Sequence, residues 1–184
     1  MKTKLAIAAV VMLAALLLFH FFVQSNSAQE ARVHLVNSFD VEVHLPYAQA
    51  APLFGPEGER AWAGADWNPQ FIHPRPANDV EGAVFTLHHA HGKAVWVNTA
   101  FDLPGKHFQY VYFIADKLVT TVDVRFTPED EENTRVHVTY ARTALKADAN
   151  KHVQDMAEGD KKAGPEWQAA IDKYVGRLKQ NGKL

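Results

Sequence analysis

Residues 166–178, EWQAAIDKYVGRL, place Trp167, Ala170, Ile171, Tyr174, Val175 and Leu178 at i, i+3, i+4, i+7, i+8 and i+11. That spacing is one apolar stripe along a helix. Pro165 stands just before it, at an acceptable first-turn position. Asp148–Glu158 also suits a helix, with Val153, Met156 and Ala157 on its apolar side. Whether Gly159–Gly164 breaks or only bends the helical run stays open at this point.

Upstream, the period of the apolar residues falls from 3.6 to 2. Ala83–His89, Ala94–Asp102, His107–Ala115, Lys117–Thr127 and Arg135–Leu145 are rich in Val, Thr, Phe and Tyr and joined by short polar links. They predict an antiparallel meander, with His91-Gly92-Lys93 as one hairpin loop and Ala115-Asp116 as a tight turn. Before them, Phe39, Val41, Val43 and Leu45 share one face of another strand, Arg32–Leu45, and Asp40, Glu42 and His44 share the other. Pro46 ends that strand and opens a short helical region. Strand, short helices, five or six strands and a long helix make an α+β domain: a curved antiparallel sheet against one helix, with space between them.

The stretch that fits neither period is Gly55–Pro74, GPEGERAWAGADWNPQFIHP. It carries Trp62 and Trp67 beside the acids Glu57 and Glu59, among prolines at 56, 69 and 74. A short helical element leading into a fixed loop is expected, acting as a lid on the β-rich part. Each buried indole N–H there needs a partner.

The chain has 184 residues, 19 basic and 21 acidic, for a formal net charge of -2. That balance argues against a nucleic-acid binder, which needs a clustered basic surface to neutralise phosphates. It has no cysteine, so the fold rests on its core alone. Lys2 and Lys4 precede the apolar run Leu5–Val23, interrupted only by His20. This reads as a secretory signal cleaved near Ala28 or as an uncleaved membrane anchor. Either form exports the domain, to the periplasm or another extracytoplasmic space. The expected division is a leader over residues 1–28 and a single domain over 29–184.

Several motifs resemble one family. They are Glu59-x-x-Trp62, Trp67-x-Pro69, Gly82-x-Val84-Phe85, Trp96, Thr134-x-Val136-x-Val138-x-Tyr140 and Trp167-x-x-x-Ile171-x-x-Tyr174. In this order they resemble the START-like, or helix-grip (SRPBCC), superfamily, in a bacterial branch akin to polyketide cyclase/dehydratase-like proteins. The resemblance covers roughly residues 33–178. It implies a cavity between sheet and C-terminal helix that takes lipids, sterols, polyketides or other apolar molecules, with enzymes in some branches only.

Candidate residues follow from chemistry and resemblance together. Trp62, Trp67, Phe85, Trp96, Tyr110, Tyr112, Ile171 and Tyr174 are expected around an apolar or amphipathic small molecule, although packing alone also accounts for aromatics of this kind. Glu59, beside two tryptophans, is a candidate desolvated carboxyl for acid/base work, with His73 or His89 as a second group. Its alternative is an ordinary first-turn acid or a partner of Arg60 or Arg75. His88-His89-x-His91 is the tightest histidine cluster, but no acid or cysteine is spaced to complete a metal shell. No nucleophile elbow, Cys/His arrangement or phosphate loop occurs. Neither cofactor nor metal is expected. The leading reading is a binding module. The alternatives are a cyclase/dehydratase-like enzyme and a structural domain with a filled core.

Overall fold

The computed structural model describes residues 31–184 apart from Ala90, His91 and the side chain of His89. The leader reading, which falls on residues 1–28, and His91 of the histidine cluster lie outside the described residues. Arg32–Leu184 forms one compact unit. Among the described residues no helix is long and apolar enough to cross a membrane.

Seven strands form one antiparallel sheet: β1 (His34–Val43), β2 (Gln70–His73), β3 (Val84–His89), β4 (Gly92–Asp102), β5 (His107–Ile114), β6 (Leu118–Pro128) and β7 (Thr134–Ala144). Their spatial order is β1-β7-β6-β5-β4-β3-β2. The meander therefore runs outward from β7 to β2, and β1 closes the far edge by pairing with β7 from His34↔Thr143 to Val43↔Thr134. Between β1 and β2 lie helix α1 (Tyr47–Ala50), a 3₁₀ turn at Ala51–Phe54 and helix α2 (Pro56–Glu59). A second 3₁₀ turn, Ala147–Ala149, leads into α3 (Asn150–Gln180).

The strands follow their alternation. In β5 Phe108, Tyr110, Tyr112 and Ile114 are buried, while Gln109, Val111 and Phe113 between them face outward to varying degrees. In β6 Leu118, Thr120, Val122, Val124 and Phe126 form the buried set. Helix α3 packs against β1 and β7 and buries Val153, Ala157, Asp160, Gly164, Ile171 and Val175. Most of these lie at three- and four-residue spacings, the pattern that keeps one helix face inward.

Three expectations need correction. The helix is unbroken through Gly159–Gly164, so Pro165 sits inside it rather than in a first turn. Pro165 removes one backbone bond, but its exposed position leaves the freed carbonyl open to water, and packing on both sides holds the helix. Gly164 is part of that packing: a Cβ there would stand 3.2 Å from Phe39 Cβ. Second, β3 pairs His89 with Gly92, which puts Gly92 and Lys93 in β4 rather than in the hairpin loop. Gly92 has φ 133°, a conformation that glycine alone adopts readily. Third, β2 lies within the expected lid loop, where it pairs Gln70 with Thr86 and Phe71 with Phe85.

Candidate functional site

The segment after β1 is tied down by its own polar groups. Tyr110, on the inner face of β5, donates its hydroxyl to Phe54 O at 2.6 Å. Trp62 Nε1 donates to Leu53 O at 2.7 Å, and Trp67 Nε1 donates to Pro56 O at 2.8 Å. Both indoles thus find the partners their burial demands. Asp79, in the loop before β3, accepts the backbone N–H groups of Glu57 (2.9 Å) and Gly58 (3.3 Å). It thereby caps α2 from a distance in sequence. The close fit requires glycine at two places: a Cβ at Gly55 would lie 2.2 Å from the Asp79 carboxylate, and one at Gly58 would lie 1.8 Å from Pro52 O.

Glu59 ends α2 with its side chain turned inward, 7% exposed. It does not pair with Arg60, whose guanidinium bonds Glu57, Asn68 and the carbonyl of Pro69. No described group hydrogen-bonds the Glu59 carboxyl. Burial first, and then the charge of Asp79, push its pKa well above the ordinary 4.5. Burial likewise raises the Tyr110 and Tyr140 phenols, with the Glu59 charge adding to both. Those phenols therefore remain protonated.

Glu59 stands where two spaces meet. The inner one has about 30 Å³ accessible to the centre of a water molecule and is lined by Pro56, Glu59, Phe85, Tyr110, Val122 and Val124, with Trp67, Trp96, Tyr140 and Trp167. That is room for one or two waters. The outer one is a cleft of about 380 Å³, open to solvent. It shares Glu59, Trp67, Trp96, Tyr140 and Trp167 with the inner space and adds Trp62, Tyr112 and Arg142, with Met156 and Glu166 from α3. Aromatic contacts stiffen the walls: Trp67 meets Trp96 edge-on at 5.7 Å, Trp62 meets Trp167 at 5.1 Å, and Trp96 stacks on Tyr112 at 4.1 Å. Two open grooves of about 570 and 540 Å³ lie elsewhere, lined largely by exposed polar side chains.

Arg142, on β7, is the cation at this cleft and is already engaged. Its Nε and Nη2 donate to the Asp160 carboxylate at 2.9 and 2.6 Å, a bidentate pair between sheet and helix. Its Nη1 donates to Tyr112 Oη and to Thr120 Oγ1, and its guanidinium lies over the Tyr140 ring at 4.4 Å. Burial opposes its charge, but the Asp160 bonds and the neighbouring acidic groups outweigh that and hold it protonated.

Of the aromatic residues singled out from sequence, Trp62, Trp67, Phe85, Trp96, Tyr110 and Tyr112 line one or both spaces. Ile171 and Tyr174 line neither. Ile171 is fully buried in the core and Tyr174 packs at its margin, because their part of the stripe faces the sheet beyond the cleft. His73 is exposed on β2, away from the lining, and the side chain of His89 is outside the described residues. Among the described residues no three His, Cys, Asp or Glu cluster as metal ligands. Tyr140, Arg142 and Asp79 were not singled out as site residues. Tyr140 and Arg142 lie two apart on one strand, and that spacing was the signal available for them.

No protein-family model matches the chain, and no curated protein matches it by sequence. Solved structures do. Norcoclaurine synthase from Thalictrum flavum, in complex with a transition-state analogue, aligns with TM-score 0.60 at 12% identity, over 81% of this chain and 98% of that one. CalU16 from Micromonospora echinospora aligns with TM-score 0.52 at 15% identity, over 82% and 91%. An uncharacterised protein from Rhizobium leguminosarum aligns with TM-score 0.52 at 15% identity, over 78% and 99%. At these identities the likeness is one of fold: the chain has a helix-grip fold, a curved antiparallel sheet against one long C-terminal helix.

Proposed function

We propose that the domain binds a compact apolar or amphipathic small molecule in the cleft between sheet, α3 and the Glu59–Trp67 segment. The observation that carries this reading is the Glu59 carboxyl, 7% exposed, without a protein partner and shared by both spaces. A buried polar group is ordinarily hydrogen-bonded, and a ligand atom would supply the missing bond. Volume narrows the ligand. Pockets for drug-sized molecules span about 300–1,000 Å³, so the outer cleft accepts a ring system, whereas the inner space is too small for a sterol or a long acyl chain. The fold's likeness to a synthase solved with a transition-state analogue agrees with a small-molecule ligand. Export through residues 1–28, by cleavage or by anchoring, belongs to the same proposal.

A second reading is acid/base catalysis at Glu59, in the manner of a cyclase or dehydratase. The raised pKa of Glu59 favours it, since a carboxyl that stays protonated above the usual range can act as a general acid. His73, envisaged as its counterpart, lies exposed and outside the lining of both spaces. Tyr140, which lines both spaces, is the nearer candidate.

Native mass spectrometry of the protein taken from its own cell envelope tests the binding reading, and the intact mass reports leader cleavage at the same time. A small-molecule adduct that Trp67→Ala weakens is the expected result. Protein free of adducts, and tryptophan fluorescence indifferent to a panel of aromatic ligands, would support a structural domain instead.

A further inference from the structure

The charges around the cleft are one-sided once internal pairs are set aside. Arg142 spends its Nε, Nη1 and Nη2 on Asp160, Tyr112 and Thr120. An anionic ligand would therefore have to displace a buried bidentate pair to reach it. What remains is acidic: Glu59 at the junction and Glu166 on the α3 wall. The other walls are ring faces, and indoles are the strongest π-surfaces for a cation. An unpartnered carboxyl, more than nine-tenths buried, inside an aromatic enclosure is the arrangement that recognises an alkylammonium. The ring quadrupoles stabilise the cation where water is scarce, and the carboxylate supplies a charge-assisted hydrogen bond.

We infer that the ligand of this cleft is an organic amine bound as its cation, with the ammonium on the Glu59 carboxylate and the body of the molecule among Trp67, Trp96, Tyr140 and Trp167. The inference rests on the binding reading and deepens it by naming the ligand's chemical class.

Proton accounting follows. Facing Glu59 are Asp79 from the loop before β3, Tyr110 from β5, Tyr140 and Arg142 from β7, and Glu166 from α3. Without ligand, burial keeps the carboxyl neutral above its ordinary range. An arriving ammonium drives it to the carboxylate, and its proton passes to the buffer. Amine affinity therefore rises with pH until the raised Glu59 pKa is passed.

Isothermal calorimetry on the full chain tests this with two probes of one shape, 2-phenylethylamine and 2-phenylethanol. It is run at about pH 5.5, a unit or so above the ordinary glutamate value, in two buffers of different protonation enthalpy. The amine is expected to bind at least about tenfold more tightly than the alcohol and to release a proton. Glu59→Gln is expected to erase both the preference and the release. The proton count on the unaltered chain keeps the test decisive should Glu59→Gln fold poorly. Equal or tighter binding of the alcohol, or amine binding without proton release, overturns the inference and leaves the binding reading standing. Binding of neither probe overturns both.

Discussion

Two charged side chains are buried at the same cleft, and they are treated in opposite ways. Arg142, 4% exposed, has a bidentate carboxylate, a phenol and a threonine hydroxyl around it. Glu59, 7% exposed, has none of these. A buried charge is tolerated when it is paired and hydrogen-bonded. Arg142 meets that condition and pins α3 to the sheet. Glu59 meets it only by giving up its charge, as the upward displacement of its pKa shows. The first site is complete within the protein. The carboxyl of the second has no protein partner and faces open space instead.

The largest way to break this contrast is to remove the partner from the satisfied site. Asp160→Ala leaves Arg142 buried and uncompensated and is expected to cost about 3–5 kcal/mol, read from the denaturant midpoint. Next comes the backbone that carries Glu59. Gly58→Ala drives a Cβ to 1.8 Å from Pro52 O and is expected to cost about 1–3 kcal/mol. It should also weaken ligand binding, because the turn must shift.

Glu59→Gln tests the unsatisfied site through pH. The folded pKa lies above the unfolded 4.5, so the folded state holds the extra proton. Stability is fully present below about pH 4.5 and falls as pH rises through the folded value, by up to about 1.4 kcal/mol per pH unit. Glu59→Gln should remove that fall, and parallel stability profiles of the two proteins would refute the assignment. Asp79 is raised by burial too, and because its charge acts on Glu59, the difference between the two profiles reports Glu59 together with its coupling to Asp79.

The smallest effect sharpens the contrast from outside the cleft. His107 Nε2 meets Asp123 at 2.6 Å on the outer face of the sheet. Burial works against the Asp123 charge, but the bonds from His107 and Gln109 outweigh it, and its pKa is lowered from 3.8. The associated stability is present above that value and lost as pH falls through the lowered one. Because both groups are partly exposed, His107→Ala is expected to cost less than about 1 kcal/mol near neutral pH, by thermal denaturation.

How much of this was legible in the sequence depended on whether a local pattern carried it. The alternation in Phe39–Leu45 and in the meander, and the helical stripe from Trp167 to Leu178, report burial on one face. The element order and the α+β architecture followed from them, and the helix-grip identification from the resemblance of the spaced tryptophan motifs. Gln70–His73 has no usable alternation and lies between prolines, so only its pairing with β3 makes it a strand. Pro165 looked like a helix start because local rules favour it there, but packing around Gly164 carries the helix past it. At the site, the tryptophans and Glu59 stood out by their crowding in one short stretch. Tyr140 and Arg142 did not, because strand alternation marks which face a residue takes and not which part of that face stays open. Asp79 lay in a polar loop, and its capping of α2 is a contact across 21 and 22 residues that no local spacing announces.

The account turns on whether Glu59 is a carboxyl held neutral by its surroundings. Following the side-chain carboxyl carbon of Glu59 by NMR through a pH titration, with Glu59→Gln to assign the signal, measures this directly. The predicted result is a midpoint well above 4.5, moved downward when 2-phenylethylamine is added. A midpoint at or below 4.5, unmoved by the amine, would contradict it.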